Sequence, residues 1–115
     1  MSALARLKRR AEFLRVAGSR RKWAAPGLVL QAAPSPDDAS GTPRIGFTAS
    51  RKVGIAVERN RARRRLRAAV AATMPLHAAA GHDYVLIARA ETVRRPYADL
   101  LGDLETGLKR LGLWR

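Results

Sequence analysis

The sequence predicts an α+β fold: a single small domain with about four strands in a mostly antiparallel sheet and three helices, in the order α-β-β-β-α-β-α. Three observations carry that expectation. Apolar residues recur at helical spacing in an early, a middle and a final segment, short apolar or alternating runs of strand length lie between them, and no stretch repeats another. At 115 residues the chain is one domain (1–115), large enough for one modest core and too small for two. Its 47 % hydrophobic content speaks for a folded globule rather than a basic tail. With aromatics at only 5 %, the core must be built from Leu, Val, Ile and Ala.

Residues 1–10 form a basic N-terminus expected to be loosely ordered. Residues 11–17 (AEFLRVA) carry Phe13, Leu14, Val16 and Ala17 on adjacent turns, a short helix ended by Gly18. Ser19 to Trp23 is a second basic patch with an aromatic at its end, read plainly as a solvated turn whose Trp23 plugs the core. Residues 28–33 (LVLQAA) follow Pro26-Gly27 and read as a strand, and residues 34–43 (PSPDDASGTP) as an exposed loop. Residues 44–50 (RIGFTAS) alternate Ile45, Phe47 and Ala49 with smaller or polar neighbours, a period-two strand. Lys52 to Gly54 is a turn into a helix that starts near Val57 and meets no proline until Pro75. Pro75 to Asp83 reads as a loop. Residues 84–88 (YVLIA) are continuously apolar, as expected of a central strand buried on both faces. Pro96 opens the last helix, with Tyr97, Leu100, Leu101, Leu104, Leu108 and Leu111 as its core-facing stripe. Gly102 and Gly107 weaken that helix by about 1 kcal/mol each relative to Ala.

The most informative stretch is 51–70 (RKVGIAVERNRARRRLRAAV), in which eight of twenty residues are Arg or Lys. At 100° per residue Ala62, Leu66, Ala69, Val70 and Thr73 form one narrow stripe that can face a core. Arg59, Arg63 and Arg67 run along one flank, Arg61 and Arg65 along the other, and Arg64 lies opposite. Like charges at i, i+4 destabilise an isolated helix by roughly 0.2–0.5 kcal/mol per pair, so the cluster serves something outside the chain. The formal net charge of +14, from 23 Lys and Arg against 9 Asp and Glu, points to a polyanion. A membrane-surface helix would need a broad apolar face, which this one lacks. Arg rather than Lys suits bidentate phosphate contacts and stacking on exposed bases, hence structured or single-stranded RNA.

Autonomous catalysis finds little support. Without cysteine there is no disulfide, thiolate zinc site or thiol nucleophile. Asp37 and Asp38 fall in the 34–43 loop, His77 and His82 make no triad or metal spacing, and no glycine-rich phosphate loop is present. Asp99 and Asp103, at i, i+4, could share a cation or simply face solvent. No apolar run of signal-peptide or membrane-span length occurs, so a cytoplasmic location is expected.

Residues 44–67 (RIGFTASRKVGIAVERNRARRRLR) resemble the signature of the bacterial ribonuclease P protein subunit. That signature is a strand, a Ser-(Lys/Arg)-Lys-x-Gly-x-Ala-Val turn and an Arg-Asn-Arg helix. The resemblance extends over nearly the whole chain, through the Phe-x-x-Val helix at Phe13 and Val16, the strand at 28–33, the Asp-Tyr strand ending in Ala-Arg at 83–89, and the Tyr-led last helix. It implies a ribosomal protein S5 domain 2-like fold with a left-handed crossover, against the usual right-handed rule. It implies a protein cofactor of a ribozyme, with no catalytic residue of its own. Its RNA subunit, with magnesium bound mainly by that RNA, would remove the 5′ leader of precursor tRNA. Carried over by position, Lys52, Arg59, Asn60, Arg61, Arg63, Arg64 and Arg67 would bind the RNA subunit. Phe13, Val16, Ser50 and Arg51 would meet the leader. Arg65 stands where the family often has an aliphatic residue, and Ala17 and Gln31 where other members carry aromatics. Two competing readings are a ribosome-associated RNA-binding module and a self-contained endonuclease built on Asp99 and Asp103 with a metal.

Overall fold

A computed structural model describes residues 4–36 and 41–115. The strands are β1 (Ala5–Arg6), β2 (Lys22–Ala24), β3 (Leu28–Pro34), β4 (Arg44–Thr48) and β5 (His82–Ala88). The helices are α1 (Arg10–Gly18), α2 (Ala56–His77) and α3 (Tyr97–Arg110), with a 3₁₀ turn at Ala90–Val93. The strands form one sheet in the order β1-β4-β5-β3-β2. β5 lies at its centre, antiparallel to β3 and parallel to β4; β1 pairs parallel with β4 and β2 antiparallel with β3. The sheet is therefore five-stranded and mixed, not four-stranded and mostly antiparallel.

The alternation of each strand divides the interior in two. Leu28, Leu30 and Ala32 of β3, Ile45 of β4 and Tyr84, Leu86 and Ala88 of β5 face α2 and α3, where they meet Ala62, Leu66, Met74, Leu100, Leu104 and Leu108. Every one of these is at most 5 % exposed. On the opposite face a smaller cluster of Leu7, Val16, Ala33 and Val85 lies under α1. Burial raises the Tyr84 phenol well above its ordinary pKa, and its hydroxyl donates to the Ala79 carbonyl at 2.7 Å.

Four differences from the sequence reading have physical causes. The N-terminal segment is not loose from Ala5 onward: Ala5 and Leu7 donate N–H groups to Pro43 and Ile45 carbonyls at 3.1 and 3.0 Å, and Leu7 is buried. Residues 1–3 lie outside the described part, as do Asp37 and Asp38 of the expected loop. Pro75 does not end α2. It stands in the last turn, where its missing N–H removes one bond, and Ala78 still donates to Met74 at 3.0 Å. Pro96 caps α3 instead of entering it, so Tyr97 begins the first turn, 42 % exposed and outside the core stripe. Asp103 is neither solvated nor free to share a cation with Asp99. It is buried, accepts the Gly27 N–H at 2.9 Å, and is gripped by Arg95 Nε and Nη2 at 2.8 and 2.9 Å.

Candidate nucleic-acid interface

The burial of one stripe of α2 fixes which arginines can reach outward. Ala62, Leu66, Ala69, Val70, Thr73 and Met74 are all buried, so the helix cannot rotate, and Asn60, Arg61, Arg64 and Arg67 are exposed. The helix starts where it does because Gly54 adopts φ +146°, a conformation that side chains avoid, and because the Glu58 carboxylate accepts the Ile55 N–H at 3.2 Å. Ser50, Arg51 and Lys52 are exposed in the preceding turn, with the Ser50 hydroxyl accepting the Lys52 N–H at 3.3 Å.

The six arginines from 59 to 67 divide by what they touch. Arg59 is half-buried and donates to the Gly54 carbonyl at 3.0 Å. Arg63 bridges to Asn60 Oδ1 at 3.2 Å, orienting that amide, and reaches the Ala49 carbonyl at 3.5 Å. Arg65 donates to the Thr92 carbonyl at 2.5 Å and to that of Arg95, tying α2 to the loop before α3. Arg67 lays its guanidinium 5.8 Å from the centre of the Phe47 ring. Among the described residues none of the six forms an ion pair with a carboxylate; such pairs occur only at Arg15, Arg44, Arg95 and Lys109. Carbonyls thus hold Arg59, Arg63 and Arg65 in place, and the charge of all six is left without a carboxylate partner.

The second surface is a trough on the α1 side of the sheet. Strand register sets three rows of side chains across it. Thr48, Ile87, Val29 and Ala24 make the first, Gly46, Val85, Gln31 and Lys22 the second, and Arg44, Asp83 and Ala33 the third. Helix α1 closes the third row by charge. Asp83 is wholly buried and accepts hydrogen bonds from Arg15, from Arg44 Nε and Nη2 at 2.9 and 2.6 Å, and from Ser35 at 3.1 Å. Burial opposes its ionisation, but the Arg44 and Ser35 hydrogen bonds and the two guanidinium charges outweigh that and hold its carboxyl below the ordinary aspartate value. Arg44 Nη1 also reaches Glu12 at 2.8 Å, and Arg15 the Pro34 carbonyl at 2.8 Å. The Glu12 carboxyl is lowered too, first by the N–H groups of Arg9 and Lys8 and then by the charge of Arg44.

The second row is closed by contact. A Cβ at Gly46 would lie 2.5 Å from the Phe13 ring, so only glycine lets that ring rest on β4. The first row stays half-open, ending in a hollow of about 480 Å³ lined by Ser50, Lys52, Ile87 and Arg89 among others. Thus Phe13, Ser50 and Lys52 are brought to one trough, with Arg51 beside them in the same exposed turn. Val16 is not available there: at 0 % exposure it lies on the inner face of α1, packed with Leu7, Ala33 and Val85. Of the floor residues, Gln31 was named from sequence, while Val29, Thr48 and Ile87 were not, although the alternation of the strands would have placed them on the same face. Ala17 is exposed on α1 and Gln31 half-buried on β3.

Comparison with known proteins agrees with this architecture. A protein-family model described as Ribonuclease P matches residues 1–112. The "Ribonuclease P protein component" of Paramagnetospirillum magneticum is 64 % identical over 95 % of this chain and 84 % of its own. That of Gluconacetobacter diazotrophicus is 52 % identical over 94 % and 91 %. Among solved structures, the Staphylococcus aureus RNase P protein superposes with a TM-score of 0.79 at 25 % identity, covering 98 % of this chain and all of that one. The Thermotoga maritima RNase P protein has the same fold, with a TM-score of 0.72 at 24 % identity and coverage of 92 % and 94 %.

Proposed function

The chain belongs to the ribonuclease P protein family, the protein component of an endoribonuclease, and from that premise we propose that it binds the catalytic RNA through α2 and the 5′ leader of precursor tRNA in the trough. The observation that carries this reading is the unneutralised row of guanidinium groups on a helix whose rotation the core fixes. Arg61, Arg64 and Arg67 point outward with Asn60. Arg59 and Arg63 brace the helix start, and Lys52 extends the positive edge toward the trough. Outward guanidinium groups match phosphate oxygens bidentately through a planar, pre-organised fork.

In the trough Phe13 offers a ring for a leader base, and Ser50 and Arg51 stand where its phosphates would pass. The protein supplies position and charge, and the hydrolysis belongs to the RNA. Among the described residues no three His, Asp or Glu side chains converge where a metal ion could be held. Magnesium, bound mainly by the RNA, would supply activation of water and stabilisation of developing charge. An Asp99–Asp103 metal site is disfavoured, because Asp103 is already occupied by Arg95 and the Gly27 N–H. A cytoplasmic setting suits this work, and no helix among the described residues is long and apolar enough to cross a membrane.

The test is precursor-tRNA cleavage at low magnesium with the RNA subunit alone, the protein alone and both. Cleavage at the mature 5′ end only by the mixture is the expected result; cleavage by the protein alone would overturn the reading.

A further inference from the structure

The trough does not stop at the sheet's last strand. β2 is the outer edge, and its register puts Lys22 in line with Gln31 of the trough floor and Ala24 in line with Val29. Lys22 is exposed, as are Arg20 just before it and Arg110 at the end of α3. The other face of β2 carries Trp23, half-buried, and Arg110 lays its guanidinium 5.2 Å from the centre of that ring. Arg110 remains exposed beside that ring, so its guanidinium donors are accessible to an anion. The backbone gives a second, independent sign. Arg20 has φ +62°, the only described non-glycine residue in the left-handed region, where Gly or Asn would sit with less strain. A long cationic side chain kept there is a strained position of the kind that clusters at binding sites.

We propose that Arg20, Lys22 and the Arg110–Trp23 pair form an exit for the RNA strand, binding the part of the 5′ leader that has crossed the trough and passed over the β2 edge. This rests on the leader reading of the trough. The RNA subunit is the less suitable occupant, because α2 packs over β4 and β5 while β2 lies beyond β3, at the far side of the sheet. The trough crosses four strands, a span of about 14 Å from strand spacing, and the β2 edge is a way out of it for a longer leader. Among the described residues no carboxylate pairs with Arg20, Lys22 or Arg110, and the nearby Glu105 is held by Lys109 at 2.7 Å. The edge is thus net positive, as a phosphate track requires.

The experiment measures affinity of the assembled holoenzyme for precursor tRNAs with a graded series of leader lengths. The unmodified protein is compared with the double variant Arg20→Gly/Lys22→Ala and with Arg110→Ala. Glycine relieves the left-handed strain at position 20, so the double variant keeps its fold. The expected result is unchanged affinity for the shortest leaders and an affinity that stops rising at a shorter length. On long leaders the salt slope should flatten by about 0.7 per phosphate contact removed, about 1.4 for the double variant. Arg110→Ala should shift the plateau the same way. Equal weakening at every length, loss of RNA-subunit binding, or no change in any variant would overturn the exit. An unmodified holoenzyme indifferent to leader length would instead overturn the leader reading, and the exit with it.

Discussion

Replacing Asp83 by Asn should loosen α1 from the sheet and so test whether charge closes the trough. The carboxylate is 0 % exposed and faces two guanidinium groups and the Ser35 hydroxyl. Removing one partner of a buried ion pair costs about 3–5 kcal/mol, because the other charge is stranded. Arg15 and Arg44 are 33 % and 30 % exposed, so water relieves part of that loss and the low end, about 3 kcal/mol, is the expected destabilisation. At roughly 4 °C per kcal/mol for a chain of this size, the melting temperature should fall by about 12 °C near neutral pH. The sign with pH follows from the lowered native carboxyl. Its stabilisation is fully present above the unfolded aspartate value of about 3.9 and is lost as the pH falls through the depressed native value. Thermal unfolding of both proteins across acid pH should therefore show the gap narrowing as the unsubstituted Asp83 protonates. A loss under about 1 kcal/mol, or a gap that stays constant into acid, would refute the view that this network holds α1.

Other substitutions separate roles that look alike in sequence. Arg64→Ala should weaken assembly with the RNA subunit and lower the salt slope by about one in titrations at several salt concentrations. Arg65→Ala should leave that slope alone and instead destabilise the fold by about 1–3 kcal/mol in chemical denaturation, since its two carbonyl partners lose their donor. Phe13→Ala should cost about 1–3 kcal/mol in binding leader-bearing precursor and nothing for mature tRNA; equal losses on both would remove Phe13 from the trough contact. Gly46→Val should drive the Phe13 ring off β4, destabilising by about 1–3 kcal/mol and lowering leader affinity together in melting and binding assays.

Sequence alone made α2 the clearest element, because five apolar or small residues at helical spacing left no other face to bury. The core strand at 84–88 was equally plain, being apolar throughout. Other features leave no such trace. β1 has two residues and no period, and its existence depends on a partner strand nearly forty positions later. Pro75 was read as a stop because the rule concerns helix interiors, whereas in a last turn it removes little. Asp103 looked solvated because its partner Arg95 lies before the helix starts. In the trough, Phe13 and the 50–52 turn were legible from type and motif. The placement of Val16 on the inner face of α1, and the row Thr48–Ile87–Val29–Ala24, depend on register between distant strands.

The central position of β5 bears on how the chain is made. β3 and β4 do not pair with each other; each is held by β5, which follows them both in the chain. Until residues 82–88 have left the ribosome, the nascent chain has only two separate strand pairs, β2 with β3 and β1 with β4, each with an open edge turned to where β5 will lie. Such edges invite pairing with other chains. The sheet can zip up only once β5 is present, so its folding is dominated by distant contacts and correspondingly slow. A nascent chain stalled just short of His82 should be protease-sensitive throughout its strands. One extended past Ala88 and α3 should become protected in a single step.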